Sequence, residues 1–198
     1  MSEASARSTQ PDPTGTMDER TRVAMSSARI LLVDDAVENL QFAGSLLKQS
    51  GYRLSIARDG RKALEVCAKT LPDLILLDVE MPVMTGYECC VALKENPRTK
   101  DIPVVFLTAN TATDEIVRGF KRGAVDYIAK PFNAPELLSR IDTHLSLRLA
   151  RMQIESIADK VSHYISPQVY GAIFRGEMDN ATSTLRKPLT VFFSDVVG

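Results

Sequence analysis

The chain has 198 residues, 44% of them hydrophobic, with 24 Lys and Arg against 25 Asp and Glu and a formal net charge of −1. That length holds one full domain plus a fragment, or two small domains, and the apolar share suffices for a sizeable core. The near-neutral balance offers no strong field to recruit nucleic acid or an anionic membrane; no apolar run reaches the length of a membrane span, and no hydrophobic leader marks a signal peptide. Cys67, Cys89 and Cys90 make an odd set without metal-binding spacing, which suits buried apolar thiols in a reducing cytoplasm.

Residues 1–27 are rich in Ser, Thr, Pro, Arg and Asp and poor in large apolar side chains, which predicts a disordered leader. From Ile30 onward, short apolar runs alternate with amphipathic stretches. The runs predict strands at 29–33, 53–57, 73–77, 103–107 and 125–128, with helices at about 37–50, 60–70, 85–96 and 112–122. This alternation predicts an α/β fold, a five-stranded parallel sheet doubly wound with helices on both faces. Gly51 and Gly123 stand where helix ends need a left-handed residue. Asp59-Gly60 and Asn96-Pro97 read as turns.

A last helix starts near Asn133-Ala134-Pro135, with Asn133 as N-cap, and meets no strong stop before Ser166-Pro167. From Leu137 it would run about 43 Å, longer than the domain is deep, so it should project from it. Leu138, Ile141 and Leu145 face one way, whereas Leu147, Ala150, Ile154, Ile157, Val161 and Tyr164 continue at spacings of three and four. The second stripe suits a short parallel coiled coil over 148–166; an amphipathic helix lying on its own domain is the other arrangement it allows. His144 and His163 lie on this helix without ligand partners at metal spacing and read as solvated residues.

Polar residues mark the strand ends. Asp34-Asp35 close the first strand, Asp78 the third and Thr108 the fourth, and Lys130 follows the fifth. In an open parallel sheet the carboxyl ends of the strands line the ligand crevice. Three carboxylates there suit Mg²⁺, a hard cation with oxygen ligands. Asp78 could then act as a nucleophile toward a phosphoryl group, with Lys130 stabilising the transferring oxygens and Thr108 donating to one of them. Each residue has a plainer reading alone: a loop acid, a helix N-terminal acid pair, a strand threonine, a core tyrosine at Tyr127, a surface lysine.

The words Ile30-Leu-Leu-Val-Asp34-Asp35, Leu74-Ile-Leu-Leu-Asp78-Val-Glu-Met-Pro82, Val104-Val-Phe-Leu-Thr108-Ala109 and Tyr127-Ile-Ala-Lys130-Pro131-Phe132 agree in order, spacing and strand-end placement. Together they resemble the receiver domain of two-component response regulators, a flavodoxin-like fold, over residues 28–147. The resemblance implies that Asp78 is the phosphoacceptor. It implies Mg²⁺ held by Asp34, Asp35, Asp78 and the Glu80 backbone carbonyl, with Asp35 the more direct ligand of the acid pair. It further implies a Thr108–Tyr127 switch pair, a Lys130 contact to the phosphoryl group and a cis Lys130–Pro131 peptide. A histidine kinase or phosphotransfer protein would be the phosphodonor.

Residues 167–198 change character. The run Val191-Phe-Phe-Ser-Asp195-Val-Val-Gly198 resembles the first strand and metal loop of a class III adenylate/guanylate cyclase domain. That resemblance implies a catalytic-metal role for Asp195, cAMP-type chemistry and a site built by two chains, hence a homodimer. A strand ending the chain suggests a cut through this domain, with the remaining cyclase residues lying past Gly198. The competing reading is a receiver that serves as a protein-interaction scaffold or controls a degenerate output domain. A DNA-binding output is disfavoured by the lack of a basic recognition helix in 150–198.

Overall fold

The computed structural model describes residues 27–110 and 112–164, with side chains described as far as Lys160. The expected leader, the 167–198 fragment and Asp195 lie outside the described residues. The chain divides after Ala150 into two units.

Five strands and five helices alternate: β1 (Arg29–Val33), α1 (Val37–Gln49), β2 (Arg53–Ala57), α2 (Gly60–Lys69), β3 (Leu74–Asp78), α3 (Gly86–Glu95), β4 (Val104–Thr108), α4 (Thr113–Lys121), β5 (Asp126–Ala129) and α5 (Ala134–Tyr164). All strand pairs are parallel, in the order β2-β1-β3-β4-β5. The last three strands start one residue later than their apolar runs suggested. Ile75 N pairs with Pro103 O and Val125 N with Val104 O, so each flanking residue enters the ladder through one bond only. As a result Asp78 and Thr108 are the final residues of β3 and β4.

The unbroken apolar runs follow from burial on both faces. In β1, Ile30 and Leu32 pack with Leu40, Leu47, Leu137, Ile141 and Leu145 under α1 and α5. Leu31 and Val33 point the other way, to Ala63, Cys67, Cys89, Cys90 and Leu93 under α2 and α3. All three cysteines are free and buried, as their composition suggested. Burying a Leu or Ile side chain contributes about 1.5–3 kcal/mol, so these two layers dominate the stability.

Local signals hold the ends. Gly51 and Gly123 have φ of 90° and 92°, the left-handed values that a side chain would resist. Asn133 Oδ1 accepts from Glu136 N at 2.9 Å and Asp59 Oδ1 from Lys62 N at 2.8 Å, each starting a helix. Thr85 and Glu88 form a reciprocal capping box at α3. On α5, Leu137, Ile141 and Leu145 are buried, whereas Leu147, Ile154 and Ile157 are 61%, 67% and 62% exposed. Among the described residues no helix is long and apolar enough to cross a membrane.

Candidate functional site

The chain order places β2 and β3 on either side of β1, so consecutive crossovers leave the sheet edge in opposite directions and a crevice opens between β1 and β3. Asp34 and Asp35 follow β1 and Asp78 ends β3 at that crevice. A carboxylate oxygen from each of the three lies within 4.8 Å of the others. Asp34 and Asp78 are buried and Asp35 is exposed.

Lys130 arrives from the far end of β5. Its ammonium is 2.7 Å from Asp34 Oδ2 and 2.9 Å from Asp78 Oδ2, with the side chain 16% exposed. Burial raises the Asp78 pKa above the usual carboxylate range, opposed by the Lys130 ammonium and the Glu80 backbone amide and reinforced by Asp34. Burial acts against the Lys130 charge, but its hydrogen bonds to Asp34 and Asp78 outweigh it and the net shift is upward. Two acids and one base therefore share a low-dielectric pocket with one negative charge in excess before exposed Asp35 is counted. An oxygen-only donor set with net negative charge, partly open to solvent, fits a hard divalent cation.

The loop after Asp78 is sharply bent. Met84 N donates to Pro82 O at 2.7 Å, a γ-turn centred on Val83, whose φ is 68°. A left-handed backbone is costly for a β-branched residue, and strain of this kind concentrates at functional loops. The next residues return to the strand: Gly86 N donates to Val79 O at 2.9 Å. Glu80 has an exposed side chain, and its amide serves the Asp78 carboxylate.

Thr108 is buried at the end of β4. Its hydroxyl accepts from Asn110 N at 3.0 Å and donates to Asn110 O at 3.1 Å, so it closes the following loop on itself. Tyr127 on β5 pairs in register with Phe106 on β4 and packs edge-on against Phe120 at 6.3 Å. A cavity lined by Phe106, Thr108, Gly119, Phe120, Ala124 and Tyr127 connects the two proposed switch residues. The Lys130–Pro131 peptide is cis, as the resemblance implied.

Several residues around this centre escaped the sequence reading. Asn39 donates to both oxygens of Asp34 at 3.0 Å; its place in the first turns of a helix gave no motif to notice. Tyr87 donates to Glu115 Oε2 at 3.0 Å, stands T-shaped on Phe106 at 5.2 Å, and lies beneath Arg122 at 4.8 Å, fastening α4 to α3. His144 requires a correction. It is not a solvated helix residue: its side chain is 13% exposed and Nε2 lies 3.0 Å from Asp126 Oδ2. Asp126 also accepts from Arg140 at 2.9 Å through both oxygens, so α5 is locked to β5 beside Tyr127. Residues 18 positions apart carry no pairing signal in sequence.

Comparison with known proteins agrees with this geometry. Residues 30–142, over half of the chain, match the family described as response regulator receiver domain. A probable cyclic di-GMP phosphodiesterase of Vibrio cholerae is 46% identical over 121 residues, which cover 61% of this chain and 27% of that protein. The chain thus spans about a quarter of that relative's length. The DNA-binding response regulator MtrA of Mycolicibacterium paratuberculosis is 34% identical over 178 residues, covering 85% of this chain and 76% of that protein. The solved receiver domain of a sensor histidine kinase from Pseudomonas aeruginosa PAO1, with magnesium ion coordinated in the active site cleft, is 29% identical at a TM-score of 0.58, over 61% of this chain and 98% of that one.

Proposed function

The chain belongs to the response regulator receiver domain family, and we propose that Asp78 is its phosphoacceptor, charged by a histidine kinase or phosphotransfer protein. The observation that carries this reading is the Lys130 ammonium bridging Asp34 and Asp78 at 2.7 and 2.9 Å, with Asp35 beside them. Members of the family bind Mg²⁺ at this acidic position. Here Asp35, Asp78 and the Glu80 carbonyl would hold the ion, with Asp34 behind them. Bound Mg²⁺ would offset negative charge on the transferring phosphoryl group. An Asp78 oxygen attacks phosphorus as the donor's bond to phosphorus breaks, the electron pair leaving with the donor. Lys130 then turns from the acids toward a phosphoryl oxygen.

Phosphorylation would draw the Thr108 hydroxyl from its Asn110 contacts and bias the packing of Tyr127 beside it, a two-state device set by local charge. The Asp126–Arg140–His144 lock passes that bias to α5. We divide the chain into a receiver at 28–147, a linker at 148–166 and an output segment at 167–198. The exposed stripe of Leu147, Ile154 and Ile157 supports a dimeric coiled-coil linker. The run ending in Asp195-Val-Val-Gly198 supports a class III nucleotidyl cyclase as the output.

A second reading is favoured by one finding. The similarity to MtrA covers 85% of the chain and so extends beyond the receiver. In that reading the output domain binds DNA, and phosphorylation changes operator affinity in place of cyclisation.

The direct experiment is acetyl phosphate labelling with Mg²⁺. The chain should gain one base-labile, hydroxylamine-labile phosphoryl group, and Asp78→Asn should gain none; labelling that persists in the variant refutes the assignment. Nucleotide cyclisation and DNA mobility-shift assays separate the two outputs.

A further inference from the structure

The side chain of Asp34 is buried, and every acceptor position on its carboxylate is engaged. Ala36 N donates to Oδ1 at 2.9 Å, Asn39 Nδ2 donates to Oδ1 and Oδ2 at 3.0 Å each, and Lys130 Nζ donates to Oδ2 at 2.7 Å. An ionised carboxylate offers about four lone-pair directions. Three donors from three places in the chain (the β1–α1 turn, α1 and the end of β5) thus fill them. Asp35, adjacent and exposed, has its carboxylate facing the same cluster.

We propose that Asn39 is a positioning residue of the cation site: its carboxamide clamps both oxygens of Asp34, fixing that carboxylate as an oriented charge behind Asp35 and Asp78. This rests on the phosphoacceptor reading above and deepens it. The clamp works in two ways. A carboxamide is neutral, so it satisfies Asp34 without competing with the incoming cation for charge. It also ties Asp34 to the body of α1, adding to the Ala36 amide and Lys130 a donor that reaches both oxygens. When Lys130 swings to a phosphoryl oxygen, Asp34 keeps its orientation although the charge that balanced it has moved away. Partners that orient a ligand shell change metal affinity by about 10–100-fold when removed.

The test measures Mg²⁺ affinity, not turnover. Asn39→Leu keeps the size and branching and removes the donor. Its Mg²⁺ dissociation constant, read by titration calorimetry, should rise about tenfold, and raising Mg²⁺ should restore acetyl phosphate labelling. Asn39→Gln, which retains the carboxamide, should recover part of the affinity. A purely structural role for Asn39 would lower the melting temperature of Asn39→Leu in EDTA and leave the affinity of the folded variant unchanged, and that result overturns the proposal. If Asn39→Leu does not fold, the parent chain decides by NMR. The Asn39 side-chain amide resonances should shift along the Mg²⁺ titration with the same midpoint as the Asp35 backbone amide; unmoved resonances overturn the proposal. A parent chain that neither binds Mg²⁺ nor labels at Asp78 would sink the phosphoacceptor reading itself, whereas normal binding in both parent and Asn39→Leu sinks only the clamp.

Discussion

Asp34 and Lys130 are 96 positions apart in the chain and 2.7 Å apart in space. The same ammonium reaches Asp78, so one cation holds two buried carboxylates in place. Neither acid has a second basic side chain in contact among the described residues. Removing Lys130 therefore removes the balance for both.

Lys130→Met should destabilise the chain by about 3 kcal/mol without divalent cations, because the acids are left facing each other in a low dielectric. Mg²⁺ should raise the melting temperature of this variant more than that of the parent. Acetyl phosphate labelling should fall by roughly a hundredfold, since a preformed positive group opposite the transferring oxygens is gone. Calorimetry and labelling kinetics check both effects, and a variant labelled at the parent rate would remove Lys130 from the chemistry.

Gly86 approaches the backbone of the phosphoacceptor. A Cβ added there would lie 2.0 Å from the Asp78 carbonyl oxygen and 2.9 Å from Val79 Cα. Backbone atoms in a buried strand cannot yield as a flexible side chain would. Gly86→Ala should cost about 1–3 kcal/mol and displace Asp78, lowering both Mg²⁺ affinity and labelling. Urea denaturation gives the first quantity and titration the second; normal labelling in the variant would mean that the loop adapts freely.

Tyr87→Phe deletes only the hydroxyl that reaches Glu115. The stability loss should be about 1 kcal/mol, while the ring contact with Phe106 persists. The local effect should be larger than the global one. Amide exchange across α4 should quicken relative to α1, because the fastening of α4 to α3 is what the substitution loosens. Hydrogen exchange read by mass spectrometry tests this, and uniform exchange across both helices would contradict it.

Asp126 gives a pH dependence of definite sign. Burial works to raise its pKa, but hydrogen bonds from His144, the Tyr127 amide and Arg140 prevail and hold it below the usual carboxylate range. A carboxyl depressed on folding contributes stability above its unfolded pKa of about 3.9 and loses it as pH falls through the folded value. Asp126→Asn should therefore be less stable than the parent near pH 7, and the difference should shrink below about pH 4. Urea melts at both pH values decide it; a difference that grows in acid would reverse the assignment.

Much of the fold could be read from the chain alone, because its signals are local. A short run such as Ile30–Val33, apolar at every position and closed by Asp34-Asp35, suits a strand buried on both faces, and Gly51, Gly123 and Asn133 terminate or start helices by their own conformational and hydrogen-bonding preferences. Acids placed at strand ends announced a crevice before any tertiary contact was known. The pairings between distant side chains could not be read in this way. Asn39 against Asp34, Tyr87 against Glu115 and His144 against Asp126 each look like unremarkable helix residues until strand order and helix rotation are fixed. Periodicity tells which face of an element is apolar; it says nothing about which polar atom lies across a gap of 3 Å, because that depends on how separate elements are stacked. The sequence by itself determined the elements and the kind of chemistry at their ends. Only the packing of β2 and β3 on either side of β1, with β5 carrying Lys130 back over them, decided which groups meet and which of them carry the charge.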